Sequence, residues 1–178
     1  IRMFLNKTLI KKMVKRAFQK EGLITGQIYE GLVISNGNWV SWTRSGAVPN
    51  WLKAAIMEHT GILPKEGQIF TAMKGDMLQY EIEDPRMDLP ERFQQSKVPF
   101  SVTPIVYEEM SFQARLLSCN DTGEVIPVLA EYYDVLDFSE LGDEHRPSGP
   151  SAETTLHGWY RGHILRMEER RYWNVWQD

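Results

Sequence analysis

The chain has 178 residues, of which 42% are hydrophobic and 25% charged, with a net charge of −4. This balance is typical of a globular protein of one domain or two small ones, and it excludes general disorder. Cys119 is the only cysteine, which excludes an internal disulfide and any cysteine-pair zinc motif, and neither a secretory signal nor a membrane span is evident, so we expect a cytoplasmic protein.

The first predicted element is an amphipathic helix over residues 7–20. Asn6 is a favourable N-cap, and Gly22 stands where a C-terminal glycine is expected. Apolar side chains occupy one half of the helical wheel and basic side chains the other half. We therefore expect Leu9, Met13, Val14 and Phe18 to be buried and Lys11, Lys12 and Lys15 to be exposed.

A β-hairpin is predicted next, with strands over Gln27–Ser35 and Trp39–Thr43. Asn36-Gly37 stands between them, and a type I′ turn needs positive φ at both central residues, which Asn and Gly tolerate best. Trp39 and Trp42 fall on opposite faces of a regular strand, so we expect at most one of them to be exposed.

A second helix is predicted over about 50–60, bounded by a proline and a glycine. A second hairpin is predicted from strands Gln68–Met73 and Met77–Glu83. Residues 7–83 therefore have the order helix, hairpin, helix, hairpin, and one interpretation is an αββ unit that occurs twice.

A connecting loop is predicted over residues 84–99, which contain three prolines and many charges. It separates a region of helices and hairpins, 1–83, from a region rich in strands, 100–178. We expect the two regions to pack as one domain or as two adjoining lobes. The predicted fold class is α+β, with antiparallel strands and two to three helices.

Three strands are predicted in the second region, over Phe100–Tyr107, Phe112–Cys119 and Glu124–Leu136. Pro127 should place the last of these strands at a sheet edge or interrupt it with a bulge, because proline lacks the amide proton of a central ladder.

The tail of the chain, residues 153–178, is open to two interpretations. Apolar residues from Leu156 to Met167 match helical spacing, although Gly158 and Gly162 each cost about 1 kcal/mol relative to alanine in a helix. We predict a helix there, followed by a strand over Tyr172–Trp176, with a terminal hairpin as the alternative.

Four short segments carry a resemblance to known proteins. They are Leu5-Asn6-Lys7-Thr8-Leu9-Ile10-Lys11-Lys12, Gly37-Asn38-Trp39-Val40-Ser41-Trp42, Lys53-Ala54-Ala55-Ile56 and Leu63-Pro64-Lys65-Glu66-Gly67. On these segments, residues 3–83 resemble small uncharacterised proteins of phages and conjugative elements of Gram-positive bacteria. The group has no assigned activity, so the resemblance implies a mobile-element context and no catalytic residues.

Charge is distributed unevenly along the chain. Residues 1–20 contain seven basic residues and no acid, whereas residues 76–144 contain sixteen acids and four bases. The first helix could therefore hold the phosphates of DNA or RNA, or it could be neutralised by the acidic body of the same molecule. The candidate binding residues are Lys11, Lys12, Lys15 and Arg16.

Motifs that would indicate catalysis are absent from the sequence. There is no phosphate-binding P-loop, no dinucleotide-binding glycine motif and no nucleophile elbow. His157 and His163 do not share a helix face, so we expect no metal site and no cofactor. Cys119 is expected to be a small buried hydrophobe.

We therefore predict a non-enzymatic interaction protein, an accessory protein of a mobile element, and lean against an enzyme. Its partner would be another protein, a nucleic acid or a second copy of the chain, and no membrane. Two alternatives stay open: a nucleic-acid-binding module that uses the basic first helix, and a hydrolase that combines acidic residues of 100–137 with a histidine of the tail.

Overall fold

The computed structural model describes residues 5–80, 98–109, 112–135, 148–149 and 163–167. Within these ranges the protein consists of helices and antiparallel sheets, which confirms the predicted α+β fold class. The helices are α1 (Lys7–Arg16), α2 (Asn50–Thr60) and α3 (Ala130–Asp134).

The strands form two sheets. The larger sheet contains β1 (Leu23–Ile28), β2 (Gly31–Ser35), β3 (Trp39–Arg44), β4 (Ile69–Ala72), β5 (Gln79–Tyr80) and β10 (His163–Met167). The smaller sheet contains β6 (Val98–Glu109), β7 (Phe112–Cys119), β8 (Val125–Leu129) and β9 (Ser148–Gly149). The strand orders are β10-β3-β2-β1-β4-β5 and β8-β7-β6-β9.

Helix α1 begins where predicted because the side chain of Asn6 caps it. Asn6 Oδ1 accepts hydrogen bonds from the backbone N–H groups of Thr8 at 3.0 Å and Leu9 at 3.1 Å. These N–H groups have no acceptor within the helix, so the cap satisfies them. The Asn6 N–H in turn donates to the Val135 carbonyl at 2.6 Å, which ties the start of α1 to the end of α3.

The end of the first helix differs from the prediction. The α-helix stops at Arg16, and a π-helical turn continues over Ala17–Glu21. Gly22 donates its N–H to the Ala17 carbonyl at 2.8 Å, and its φ of 90° directs the chain into β1. Met13 and Val14 are buried as predicted, whereas Leu9 and Phe18 are only partly buried.

The first half of the chain contains one strand more than predicted. The predicted strand over 27–35 covers only the end of β1 together with β2, and these strands join at Tyr29 and Glu30, whose φ angles are 52° and 56°. Positive φ at both central residues is the type I′ pattern, but neither residue is one that favours it, so the sequence carries no turn signal there. The interpretation of residues 7–83 as a repeated αββ unit therefore fails, because α1 is followed by three strands.

The hairpin of β2 and β3 is confirmed, with a turn shifted by one residue. Ser35 pairs with Val40, and the two residues at the tip are Gly37 and Asn38. Only Gly37 has positive φ, at 91°, which is the pattern of a type II′ turn. Oδ1 of Asn36 stabilises the turn by accepting hydrogen bonds from the backbone N–H groups of Asn38 at 3.0 Å and Trp39 at 3.1 Å.

Helix α2 and the second hairpin follow the prediction. Gly61 ends α2 in the left-handed conformation with φ of 74°. Strands β4 and β5 pair antiparallel, with Phe70 opposite Tyr80, and residues 81–83 lie outside the described residues. β4 also pairs with β1. The segment that contains α2 therefore connects β3 to β4, which lies on the other side of β1 from β2.

The smaller sheet contains the predicted strands with two features set by proline. Pro127 lies on β8, an edge strand that pairs with β7, as predicted. The register of β6 and β7 shifts between Val102 and Val106, around Pro104. Strand β6 begins at Val98, while residues 84–97 lie outside the described ones.

Two predicted elements of the second half are wrong. The predicted strand over 124–136 ends at Leu129, and Ala130–Asp134 is helical, because this turn places Tyr132 and Val135 in the core. The predicted helix from Leu156 to Met167 is a strand over His163–Met167, which pairs with β3. Residues 153–162 and the predicted strand at 172–176 lie outside the described residues.

One hydrophobic core spans both halves of the chain. Apolar residues of α1, α2 and one face of the larger sheet pack with residues of the smaller sheet and α3. Its members include Ile10, Val14, Ile34, Trp39, Leu52, Ile56, Leu117, Val128 and Val135. The other face of the larger sheet holds a separate cluster of Val33, Val40 and Trp42.

Candidate functional site

The outer face of α1 carries a group of lysines, which we call the lysine face and define as Lys11, Lys12 and Lys15. All three are exposed, as predicted. Lys11 and Lys15 are four residues apart and Lys12 and Lys15 three, so their side chains are neighbours on the helix surface. Within the described part of the chain none of them forms an ion pair.

The fourth predicted binding residue, Arg16, lies in a different environment. Its guanidinium donates to both carboxylate oxygens of Glu131, with N···O distances of 2.7 and 3.0 Å. Its Nε lies 3.0 Å from Oε1 of Glu21. The hydrogen bond with Glu131 raises the pKa of Arg16, and burial opposes this more weakly.

The same group of contacts extends to the β2–β3 hairpin. Glu21 lies on the π-helical turn, and its second oxygen accepts a hydrogen bond from Nδ2 of Asn36 at 2.5 Å. A continuous chain of polar contacts therefore runs from the hairpin tip through the end of α1 to α3, and its members are Asn36, Glu21, Arg16 and Glu131. Arg16 balances one of the two negative charges that Glu21 and Glu131 bring to the end of α1.

The two tryptophans of β3 do not offer a surface for stacking on bases. Trp39 is 1% exposed and Trp42 is 4% exposed. They face opposite sides of the sheet as predicted, because Trp39 belongs to the main core and Trp42 packs with Val33 and Val40. A ligand could not reach either indole without opening the sheet.

Two of the acidic residues considered for a hydrolase, Glu131 and Asp134, form ion pairs with arginines and lie beside a different sheet from His163. Asp134 pairs with Arg115 at 3.3 Å, and Glu131 pairs with Arg16. His163 lies in the larger sheet, opposite Thr43, whereas these acids lie on α3 beside the smaller sheet. Among the described residues no group of three or more His, Cys, Asp or Glu side chains could hold a metal ion.

Cys119 lies at the end of β7, buried at the start of the β7–β8 turn. A hydrogen bond from the Thr122 hydroxyl lowers the pKa of the Cys119 thiol, and hydrogen bonds from the backbone N–H groups of Thr122 and Asp121 lower it further. Burial of the thiol acts in the opposite direction and is outweighed. The core packing expected for this residue is confirmed by its membership of the main cluster.

Sequence reasoning missed an open cleft between the larger sheet and α2, with a volume of about 190 Å³. Its polar lining consists of Gln27 on β1, Ser45 after β3 and Lys53 on α2. Its apolar lining is contributed by Leu32, Val48 and Leu63.

No sequence motif marks this cleft because its lining comes from five separate segments. The nearest local signal is Lys53, a charged residue within the otherwise apolar stretch of α2 that follows Trp51. Such a lysine is ordinary on a helix surface, so its role becomes visible only when the sheet is placed beside it.

Comparison of the chain with protein-family models, with curated proteins and with solved structures gives no match. None of the helices in the described residues is long and apolar enough to cross a membrane.

Proposed function

We propose that this protein is a non-enzymatic nucleic-acid-binding protein that holds the phosphate backbone on the lysine face of α1. The observation that carries the proposal is the exposure of Lys11, Lys12 and Lys15 side by side, without an ion-pair partner among the described residues. Like charges three or four residues apart destabilise a helix, and a bound polyanion would relieve that repulsion.

Arg16 has a supporting role in this proposal. Its two hydrogen bonds to Glu131 and its ion pair with Glu21 reduce the repulsion that these carboxylates would exert on phosphate. The phosphate contacts are therefore assigned to the three lysines, and Arg16 holds the end of α1 against α3.

Recognition would be independent of base sequence. The burial of Trp39 and Trp42 excludes these two indoles as the stacking surfaces that single-strand binders use. Lysines are compact point charges that bind phosphate without selecting a base. An accessory protein of a mobile element, the context that residues 3–83 suggest, would have use for such general binding.

The proposal is tested by fluorescence anisotropy with a labelled DNA duplex of arbitrary sequence at several salt concentrations. Three phosphate contacts predict that the logarithm of the association constant falls with the logarithm of salt with a slope of about −3. The double substitution Lys11→Gln/Lys15→Gln should reduce the steepness of that slope by about 2 units and weaken binding at low salt.

The matched control is Arg44→Gln/Lys65→Gln, which removes the same charge from exposed positions away from α1. It should leave the slope close to that of the unmodified protein. Absence of binding at low salt, or equal effects of the two double variants, would refute the proposal.

A further inference from the structure

We infer that the cleft between the larger sheet and α2 binds a small monocarboxylate with a short aliphatic tail. The cleft lies apart from the lysine face, and the inference does not depend on the proposed function. It rests on the polar and apolar side chains that line the same cleft, and on the hydrogen-bond donors that the polar ones leave available.

Two polar side chains of the cleft, those of Gln27 and Ser45, are held by hydrogen bonds at the β1–β2 turn. The Glu30 carbonyl accepts two hydrogen bonds from Ser45, from its N–H at 2.9 Å and its hydroxyl at 2.8 Å. Ser45 Oγ accepts a hydrogen bond from Nε2 of Gln27 at 2.5 Å. Positive φ at Tyr29 and Glu30 costs energy, and these contacts are what stabilise the turn.

The backbone of Gln27 is fixed as well. Its N–H donates to the Gln68 carbonyl at 2.9 Å, and its carbonyl accepts the Gly67 N–H at 2.7 Å. The backbone of Gln27 is therefore fixed, and its side-chain amide is held by Ser45, before any ligand arrives. This lowers the entropic cost of binding.

Two donors remain for a ligand after these contacts are made. The side-chain amide of Gln27 has a second N–H for which the described residues provide no acceptor. Lys53 is a half-buried residue whose ammonium has no ion-pair partner among them. Ser45 already donates its hydroxyl proton to Glu30. One ammonium and one amide N–H match the two oxygens of a carboxylate, whereas a phosphate group would require more donors.

The apolar lining of the cleft selects the rest of the ligand. Leu32, Val48 and Leu63 supply aliphatic surface, with Leu32 and Val48 buried. The volume of about 190 Å³ equals that of roughly six water molecules at about 30 Å³ each, which is enough for a carboxylate with three or four carbon atoms beyond it.

The experiment uses the ¹⁵N-labelled full chain titrated with butyrate and followed by amide chemical shifts. We expect saturable shifts at Gln27, Ser45 and Lys53, with a dissociation constant on the order of 1 mM for so small a ligand. Acetate, which lacks the tail, and butylammonium, which reverses the charge, should each bind at least about tenfold more weakly.

Lys53→Met keeps the aliphatic stem and removes the charge, and it should weaken butyrate binding at least about tenfold. Lys65→Met makes the same charge change at an exposed position outside the cleft lining and should have no effect. Lys53→Arg keeps the charge and should retain most of the binding. Equal shifts with butyrate and butylammonium, shifts that do not saturate, or equal behaviour of the two methionine variants would overturn the inference.

Discussion

Arg16 and Glu131 are 115 residues apart in the chain and form a two-pronged ion pair, with N···O distances of 2.7 and 3.0 Å. The pair joins the end of α1 to α3, and so connects the first half of the chain to the second. Both side chains are more than one third exposed, so water weakens the attraction. The paired geometry still favours it, because two parallel hydrogen bonds form at once.

The first prediction is that Glu131→Gln lowers the free energy of unfolding by about 1 kcal/mol at low salt. The amide of glutamine accepts one of the two hydrogen bonds without the charge, and Arg16 keeps Glu21 as its other partner. The loss should shrink at high salt, because exposed charges are screened. Urea denaturation at low and high salt measures both effects.

The control for this substitution is Glu124→Gln on the β7–β8 turn, an exposed acid with no ion-pair partner in the described part of the chain. It should change stability by less than about 0.5 kcal/mol. If the two variants unfold alike, the pair of Arg16 and Glu131 contributes nothing to the union of the two halves.

The second prediction concerns the close packing of Trp42 against the backbone of β2. A Cβ placed on Gly31 would overlap the indole of Trp42 and lie 2.7 Å from the Thr43 carbonyl oxygen. Since backbone cannot move aside easily, Gly31→Ala should cost about 1–3 kcal/mol despite the small added volume. The measurement is the midpoint of urea denaturation with an unchanged slope.

Gly46→Ala is the matched control for Gly31→Ala. A Cβ at Gly46 meets no atom within 4 Å, and its φ is not in the left-handed region. This substitution should be neutral or stabilising by up to about 1 kcal/mol, because it restricts the unfolded chain. Equal destabilisation by both variants would contradict the packing described for Trp42.

Local signals in the sequence predicted much of the fold. The cap at Asn6, the left-handed glycine at the end of α2 and the edge position of Pro127 each depend on one residue's own chemistry. The wrong predictions concern segments whose secondary structure depends on contacts with residues far away in the sequence. Helix α3 forms because Tyr132 and Val135 reach the core, and β10 is a strand because β3 offers it an edge.

The candidate sites divide in the same way. The exposure of the lysine face follows from helical periodicity alone, so it was predictable. The ion pair of Arg16 with Glu131 and the cleft beside Lys53 could not be predicted, because each brings together residues that no sequence spacing connects.

The third prediction concerns the tip of the β2–β3 hairpin. Gly37 has a φ of 91°, and a side chain there would meet no other atom within 4 Å, so backbone conformation alone sets the cost. Gly37→Val should destabilise the protein by about 1–2 kcal/mol, and Gly37→Asn by less, since asparagine tolerates positive φ better. Equal stability of the two variants in urea would show that the conformation at Gly37 is not required.

The fourth prediction concerns the pKa of Cys119, which the Thr122 hydroxyl lowers. Thr122→Val should raise this pKa toward its usual value of 9.0, while Thr122→Ser, which keeps the hydroxyl, should leave it low. Thiolate ultraviolet absorbance during a pH titration of each variant measures the change.

The same shift predicts a pH dependence of stability. Because the folded protein binds the proton of Cys119 less tightly than the unfolded chain, the contribution is complete above the unfolded pKa of 9.0 and is lost as the pH falls through the folded value. The difference in unfolding free energy between the unmodified protein and Thr122→Val should therefore be larger above pH 9.0 than at acidic pH. A difference that does not vary with pH would mean that Thr122 supports the turn through its other bond, to the Glu124 N–H at 3.2 Å, and has no influence on the thiol.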